Sequence, residues 1–476
     1  MRQRDIMLIM SDQHGYDVTG LADRRVETPQ LDRIAQEGAW FEHCYSNAPL
    51  CVPSRMSFLT GMLPSDLEIF DNDSTIPSDM PTIAHEFGRM GYHTVLIGRM
   101  HFKGDDQNHG FDERLCGEIT SQYWGTGGKN RTDFGVYAGT TNRLHCLEQV
   151  GGGESPVTFY DRMVFHTAMD FLEQWHKQGE DRLPLLLIVG FYGPHFPFVC
   201  EKDLYRKYRE RVVPEECVSD MELPALSVYR ELRQECDAQL VRDCRAAYFG
   251  MAEMLDGYIG ELYDRFRLIE DGRKSAFFYT SDHGEQLGTR RIFGKQTMYE
   301  AAVHVPLVAV GTGIPIGAVS ETVSLLDLSR TLLAFADRAS DFSWHQGVTM
   351  DYLLGAQNQK KGEHSVRIQQ MLTDNGQPVL VEASVRWPWK VVRVNGTCFR
   401  YHLEQDPQEQ NTEEVRIDEV DGTGFITENQ ARLLIERHQK RLAGHQRLTD
   451  WGRQKHPREW ACVSIPPNSL MKPVKE

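Results

Sequence analysis

The sequence predicts an α/β protein in which helices sandwich a mostly parallel central sheet, followed by a smaller C-terminal α+β subdomain. Along the first 360 residues, short apolar runs typical of buried strands alternate with longer stretches typical of helices. This alternation favours a parallel sheet covered on both faces. After about residue 360 the apolar runs become short and closely spaced, which indicates antiparallel strands. A hydrophobic content of 40% over 476 residues is enough to form a large core.

The individual elements follow from the position of these runs. Five strands are predicted for the large sheet, at Ile6–Met10, Thr94–Ile97, Leu185–Phe191, Ala276–Thr280 and Val305–Val310. Five helices are predicted between or after them, at Gln30–Glu37, Met80–Met90, Tyr160–Lys177, Asp243–Arg267 and Ser324–Phe335. The C-terminal elements are three strands and an exposed helix, at Val379–Ser384, Lys390–Val394, Cys398–His402 and Glu428–Leu442. Because the segment 355–361 is polar and linker-like, we place a catalytic domain at 1–360 and a subdomain at 361–476.

Composition narrows the class of protein. The formal net charge of −16 disfavours binding to nucleic acid or to an anionic membrane. No apolar run has the length of a transmembrane helix, and the first residues lack the features of a signal peptide. The ten cysteines are scattered and form no CxxC pair, which is typical of reduced thiols. We therefore expect a cytoplasmic protein.

Polar residues follow two of the predicted strands. Asp12 and Gln13 follow the first strand, and Asp282 and His283 follow the strand that ends near Thr280. Ligands of α/β proteins bind beyond the carboxyl ends of the strands, where carboxylate, amide and imidazole groups suit a divalent cation. Either pair taken alone is equally compatible with a simple cap of the following turn.

A longer motif makes the metal interpretation stronger. The segment 51–61 has the form C-x-P-S-R-x-x-x-L-T-G, with Cys51 and Arg55 four residues apart. A lone cysteine is usually a small buried hydrophobic residue, and a cysteine at a helix start can be an activated thiol. Neither interpretation accounts for the complete string.

The complete string resembles the signature of type I sulfatases of the alkaline phosphatase superfamily, and the resemblance extends from Ile6 to about Pro407. It implies an alkaline-phosphatase-like fold. It also implies that a maturation enzyme oxidises Cys51 to formylglycine. The hydrated aldehyde then attacks sulfur with one hydroxyl, the alcohol leaves, and the second hydroxyl expels sulfate. The implied function is hydrolysis of sulfate esters.

The resemblance also implies a metal site and its ligands. The ligands would be Asp12, Gln13, Asp282 and His283 together with the modified Cys51. Gln13 stands where many sulfatases have a second aspartate. Because most of these ligands are oxygen donors, calcium is the expected ion, with magnesium or manganese as alternatives.

Five residues take catalytic or sulfate-binding roles by the same resemblance. Arg55 would orient the formylglycine, and His101 would activate its hydroxyl. Arg99, where the family usually has lysine, would hold a sulfate oxygen. His195 would contact the bridging oxygen of the substrate and could protonate the leaving alkoxide. Lys295 would bind sulfate and could protonate the leaving group.

Several segments between residues 69 and 114 resemble the choline sulfatase branch of the family. In that branch an Asn, a Glu and aromatic side chains hold a quaternary ammonium group. Asn72, Glu382 and Trp124 are the corresponding candidates here. The C-terminal tail departs from the branch, so choline-O-sulfate is one candidate substrate among small alkyl, aryl and sugar sulfates.

Three alternatives to a sulfatase are open to test. A phosphonate monoester or phosphodiester hydrolase would use the same metal and formylglycine. A non-catalytic anion-binding protein should have lost part of the site, yet all the predicted residues are present. A thiol hydrolase using unmodified Cys51 would leave Asp12 and Asp282 without a role. For the sulfatase, the expected partners are a small sulfated substrate and the maturation enzyme, and the resemblance leaves a homo-oligomer open.

Overall fold

The computed structural model of the protein describes residues 4–23, 25–120, 147–179, 181–212, 227–268, 274–337, 342–354, 364–420 and 422–455. Its strands are β1 (Asp5–Asp12), β2 (Ala39–Tyr45), β3 (His93–Gly98), β4 (Glu113–Leu115), β5 (Gly151–Gly152), β6 (Leu185–Pro194), β7 (Val199–Cys200), β8 (Ser275–Ser281), β9 (Leu307–Gly311), β10 (Gly317–Ser324), β11 (Val366–Asp374), β12 (Gln377–Arg386), β13 (Trp389–Val394), β14 (Thr397–His402) and β15 (Glu413–Val415). Its helices are α1 (Pro29–Glu37), α2 (Cys51–Thr60), α3 (Pro64–Leu67), α4 (Ile83–Arg89), α5 (Pro156–His176), α6 (Lys202–Arg211), α7 (Ala238–Arg267), α8 (Glu300–Val303), α9 (Leu325–Ala336) and α10 (Glu428–Lys455).

The large sheet has eight strands in the order β10-β2-β9-β8-β1-β6-β3-β4. All neighbours are parallel except β9, which runs antiparallel to both β8 and β2. The prediction of a mostly parallel central sheet is therefore confirmed. The last predicted strand is β9, whose antiparallel direction was not expected, and β2, β4 and β10 were not predicted.

Both faces of the sheet are covered by helices, as predicted. Along β1, Ile6, Leu8 and Met10 belong to a core shared with α2, α4 and α9. Met7 and Ile9 point to the opposite core, shared with α1, α5 and α7. All eight residues of β1 are buried, which explains its uninterrupted apolar run.

Several helices begin at a different residue from the one predicted, because a side chain caps their first turn. α4 begins after Thr82, because the Thr82 side chain accepts a hydrogen bond from the His85 backbone and so forms a capping box. α5 begins earlier than predicted, with Ser155 as cap and Pro156 in the first turn. α7 likewise begins earlier, behind Asp237, whose carboxylate accepts from the Leu240 N–H at 2.7 Å.

The C-terminal elements form a separate five-stranded antiparallel sheet in the order β11 to β15. Val366 and Val381 of this sheet share one apolar cluster with Tyr45 and Tyr299 of the larger part. The predicted boundary at residue 360 lies outside the described residues and stays a prediction. Among the residues described, no helix combines the length and the apolar character needed to cross a membrane.

Candidate active site

The site begins at the carboxyl ends of two neighbouring parallel strands. β1 and β8 pair in register up to Ser11 and Ser281, so Asp12 and Asp282 emerge side by side. Asp12, Cys51, Asp282 and His283 are all buried, and each contributes a potential ligand atom within 4.8 Å of the others. The structure thus brings together these four residues, which were predicted from the sequence as metal ligands.

Cys51 is the first residue of α2, a helix whose ten residues are all buried. Its Sγ lies 3.6 Å from Asp12 Oδ1 and 3.2 Å from His283 Nε2. Burial, with Asp12 as the next cause, raises the pKa of the Cys51 thiol to about 11. In the metal-free protein, Cys51 therefore lacks the lowered pKa of an activated thiol, which argues against the thiol hydrolase.

His283 is held as a neutral ring with one nitrogen facing the cluster. Its Nδ1 lies 3.1 Å from the Gly284 carbonyl oxygen, which can only accept a hydrogen bond, so Nδ1 carries the proton. Nε2 is then left with a lone pair, 3.5 Å from Asp282 Oδ1. Burial lowers the pKa of His283, although Asp282 opposes this effect. This tautomer is the one that a metal-binding histidine needs.

Gln13 follows directly on Asp12 and has a left-handed backbone, with φ 73°. Its backbone N–H donates to Asp282 Oδ1 at 3.0 Å. Its side chain is fully buried: Oε1 accepts a hydrogen bond from Lys295 Nζ, and Nε2 donates one to Glu285. A non-glycine residue in this conformation costs free energy, and such strain is typical of functional sites.

Arg55 forms contacts with both carboxylates of the cluster, Asp12 and Asp282. Its Nε donates to Asp282 Oδ2 at 2.7 Å, and its Nη2 lies 3.4 Å from Asp12 Oδ2. Two further donors reach the carbonyl oxygens of Ser11 and Arg99. Arg55 thus directs its donors to the two carboxylates and to backbone carbonyl oxygens, which fixes the positions of Asp12 and Asp282 relative to each other.

Arg99 has different partners from those expected for a sulfate ligand. Its Nε donates to Asp12, Nη1 approaches Glu118, and Nη2 donates to His101 Nδ1 at 2.8 Å. Its guanidinium also stacks over Tyr192 at 3.8 Å. The physical reason is depth: the side chain is only 1% exposed, so its donors meet buried protein acceptors. The structure thus gives Arg99 the contacts of a positioning residue.

Two facing glycines let the backbone of Arg99 enter this buried position. Gly98 of β3 and Gly190 of β6 are paired in register. A Cβ atom at Gly190 would lie 1.8 Å from the carbonyl oxygen of Arg99. Any side chain at Gly190 would therefore push the Arg99 backbone away from the site.

His101 and His195 have different hydrogen-bonded nitrogens. His101 Nδ1 accepts from Arg99, which leaves the proton of the neutral ring on Nε2. His195 Nδ1 donates to the Phe196 carbonyl at 2.7 Å, and its Nε2 lies 3.9 Å from Asp12 Oδ1. Burial lowers the pKa of both rings well below the usual value, with Arg99 acting on His101 and Lys295 on His195. Both rings are neutral at neutral pH.

Asp12 stays ionised at the centre of these groups. Burial alone raises the pKa of its carboxyl, but the cationic side chains of Arg99, Arg55 and Lys295 together outweigh burial and hold the pKa well below its usual value. The site therefore keeps a buried carboxylate that can bind a cation.

A model of the sulfatase family matches residues 4–338 of this chain. The chain belongs to the sulfatase family. A choline-sulfatase of Rhizobium meliloti (strain 1021) is 34% identical over 73% of this chain and 70% of its own length. An arylsulfatase of Clostridium perfringens is 27% identical over 85% of this chain and 89% of its own length. The chain is therefore a hydrolase of sulfuric esters.

The fold of this sulfatase is shared by solved structures of low sequence identity. A phosphonate monoester hydrolase from Silicibacter pomeroyi has a TM-score of 0.65 at 19% identity, covering 94% of this chain and 96% of that chain. A 2-O GAG sulfatase has a TM-score of 0.64 at 17% identity, covering 98% and 96% respectively. The predicted alkaline-phosphatase-like architecture is confirmed by these matches.

The three residues predicted to surround a quaternary ammonium have other surroundings or are not described. Asn72 Oδ1 accepts from the Val52 N–H at 3.0 Å and so caps α2 beside Cys51. Glu382 lies opposite Arg393 in the C-terminal sheet and is paired with it. It also accepts from Gln369 at 3.0 Å, so the expected free carboxylate is engaged within the protein. Trp124 lies outside the described residues.

Two buried carboxylates of the site were not predicted. Glu118 accepts from the backbone N–H groups of Met100 and His101, at 2.8 and 2.6 Å, and supports the left-handed backbone of His101. Nothing in the local sequence marks it. Glu285 binds Gln13, and its place directly after Asp282-His283-Gly284 is the signal that could have found it.

The residues present fit a divalent cation. Asp12 and Asp282 provide two carboxylates, and His283 provides an imidazole nitrogen with a free lone pair. The amide oxygen of Gln13, the residue next to Asp12, accepts a hydrogen bond from Lys295. Hard oxygen donors with one imidazole suit calcium, magnesium or manganese better than soft metals. The family implies such an ion, and the cluster agrees with it.

Proposed function

We propose that this sulfatase hydrolyses small sulfate monoesters with a formylglycine derived from Cys51, beside one divalent cation, with calcium as the expected ion. The observation that carries the proposal is the position of Cys51. It stands at the start of a buried helix, with Sγ 3.6 Å from Asp12 and 3.2 Å from His283. Sγ marks the place that the oxygens of a formylglycine hydrate would take. The proposed partners are the sulfated substrate and the maturation enzyme that modifies Cys51.

The proposed ligands of the cation are Asp12, Gln13, Asp282 and His283, together with the modified residue 51. A cation held there would act as a Lewis acid that favours an oxygen nucleophile at neutral pH. Arg55 donates a hydrogen bond to Asp282, and Arg99 donates one to Asp12. The two carboxylates are therefore held in place, so the ligands do not have to rearrange during turnover. Pre-formed geometry of this kind lowers the barrier to nucleophilic attack.

Protonation of the leaving alcohol falls to Lys295 in this proposal, with His195 as its neighbour. Lys295 is a buried cation bonded to Gln13 Oε1. His195 is neutral, and its Nδ1–H is bound to Phe196, so its Nε2 can accept a proton but has none to give. His101, whose Nε2 carries the proton, is a hydrogen-bond donor in the neutral state.

The test compares turnover of a panel of esters by the mature protein and by Cys51→Ala. We expect hydrolysis of an aryl sulfate and of choline-O-sulfate to exceed that of a phosphonate monoester, because a sulfatase family model matches residues 4–338 and a choline-sulfatase is 34% identical to this chain. Choline-O-sulfate is included because the Rhizobium meliloti relative is a choline-sulfatase. Faster turnover of the phosphonate would favour the phosphonate hydrolase, and substantial residual activity of Cys51→Ala would remove the nucleophile assignment.

The metal site has its own test. We expect Asp282→Ala to lower the content of bound divalent cation in elemental analysis of the purified protein. Asp282 is a ligand candidate and also the nearer carboxylate partner of Arg55, so its loss leaves this buried guanidinium with only the longer contact to Asp12 at 3.4 Å. An unchanged metal content would contradict the ligand role.

A further inference from the structure

We propose that Glu285 is a positioning residue that requires an amide at position 13 and fixes its orientation, so that the oxygen of Gln13 is available as a metal ligand. The inference deepens the proposed function, because it rests on Gln13 belonging to the metal site. Glu285 itself has no proposed contact with metal or substrate.

The Gln13 amide lies between an acceptor and a donor. On one side, Nε2 donates to Glu285 Oε2; on the other, Oε1 accepts from Lys295 Nζ. All three side chains are buried, with exposures of 0% for Gln13, 1% for Glu285 and 6% for Lys295. A flipped amide would turn its oxygen toward a carboxylate and its NH₂ toward an ammonium group. Both neighbours therefore select the same orientation.

The second oxygen of Glu285 fixes the carboxylate itself. Oε1 accepts from the backbone N–H groups of Leu287 and Gly294, at 2.9 and 2.6 Å. Gly294 immediately precedes Lys295. The Glu285 carboxylate therefore orients the amide of Gln13 and also holds the backbone next to Lys295, which is the second partner of that amide. These hydrogen bonds give Glu285 a role in the site although it is not one of the predicted metal ligands.

The arrangement explains why an amide replaces the more usual aspartate at this position. A carboxylate at position 13 would stand directly against Glu285 in a buried environment, where like charges repel strongly. An amide adds no charge, and the carboxylates of Asp12 and Asp282 then provide the negative charge of the ligand set. The residue identity at 13 is in this way coupled to the residue identity at 285.

The experiment exchanges the two groups. The variants are Gln13→Glu, Glu285→Gln and the double variant Gln13→Glu/Glu285→Gln, in which the amide at 285 can donate to the carboxylate at 13. Each is studied without metal by thermal unfolding, and with metal by calorimetric titration of Ca²⁺. Glu409→Gln is the control for the loss of a buried carboxylate. Glu409 also accepts a backbone N–H, from Glu300, is in addition paired with the buried Lys390, and lies outside the metal cluster.

We expect Glu285→Gln to weaken Ca²⁺ binding by ten- to a hundred-fold, as is usual when the partner of a ligand is lost. Glu409→Gln should leave Ca²⁺ binding within about twofold of the parent, since Glu409 bonds to Glu300 and Lys390 and is not the partner of a proposed ligand. Both single variants at 13 and 285 should unfold at lower temperature than the parent, and the double variant should recover most of that loss.

Additive losses in the double variant would overturn the inference, as would unchanged Ca²⁺ affinity of Glu285→Gln. The failure of the proposed metal site is a separate outcome. If the parent protein binds no Ca²⁺, Mg²⁺ or Mn²⁺, the metal role of Gln13 is lost. The coupling between positions 13 and 285 is then decided by the metal-free unfolding temperatures, where additive losses overturn it and recovery in the double variant supports it.

Discussion

Replacing Arg99 by lysine tests how far the buried guanidinium holds the site together. Lysine keeps the positive charge beside Asp12 but has no planar group with several donors. The contact to His101 Nδ1 at 2.8 Å would be lost, and so would the stacking of the guanidinium on Tyr192 at 3.8 Å. The Glu118 carboxylate would lose its weaker contact at 3.4 Å.

The magnitude follows from these contacts. A hydrogen bond from a charged group contributes about 1.5 to 3 kcal/mol, and a desolvated cation–π contact contributes up to about 2 kcal/mol, part of which lysine retains. We therefore expect Arg99→Lys to lower the free energy of unfolding by about 3 kcal/mol. We also expect a lower kcat, because His101 loses the donor that fixes its ring.

The assay is chemical unfolding of the metal-free protein, followed by kinetics of the matured enzyme. The matched control is Arg209→Lys, since Arg209 is 43% exposed and pairs with Asp243 at 2.8 Å. Because such exposed pairs contribute little, Arg209→Lys should leave the free energy of unfolding close to that of the parent. An Arg99→Lys protein as stable as the control variant would refute the positioning role of Arg99.

Three further predictions concern residues around the site and in the cores. Glu382→Gln should destabilise the protein by about 3 kcal/mol, because it leaves Arg393 without its buried carboxylate partner. The same substitution should change KM equally for choline-O-sulfate and for an aryl sulfate that has no cationic group, and a selective rise for choline-O-sulfate would instead support a cation-binding role. Asn72→Ala should lower the free energy of unfolding by about 1 kcal/mol in urea titrations, because the Val52 N–H loses its acceptor, and no loss would contradict the cap. Burial raises the pKa of Asp256 to about 7, so the folded state binds more protons than the unfolded state. Asp256 should therefore cost stability as pH rises from about 4 to 7, by up to about 4 kcal/mol. The stability of Asp256→Asn relative to the parent should then be greater at pH 8 than at pH 4, and equal differences at both would contradict the assignment.

The parts of the site that could be predicted are those whose signal is local in the chain. Asp12 and Asp282 follow buried apolar strands, and β1 and β8 are parallel neighbours, so strand ends alone bring them together. Cys51 and Arg55 belong to one contiguous motif. Helix bounds were less well predicted because caps such as Thr82 and Asp237 act through single side-chain hydrogen bonds.

The parts that could not be predicted depend on tertiary partners. The substrate-binding role of Glu382 stays a prediction, and its pairing with Arg393 follows from the register of β12 with β13, which the local sequence does not reveal. The substrate role of Arg99 stays a prediction, and its contacts to Asp12 and His101 depend on partners that the local sequence does not mark. The antiparallel β9 has the same apolar run as a parallel strand, since both are buried on two faces and periodicity cannot separate them.

The central claim is that the nucleophile derives from Cys51, and the mass of the tryptic peptide Ile34–Arg55 from protein made in its native host tests it most directly. The peptide contains both Cys51 and Cys44, so Cys44 serves as an internal control. The account predicts that residue 51 carries an aldehyde in place of its thiol while Cys44 remains a cysteine. An intact thiol at Cys51, in protein that hydrolyses sulfate esters at full rate, would contradict the account.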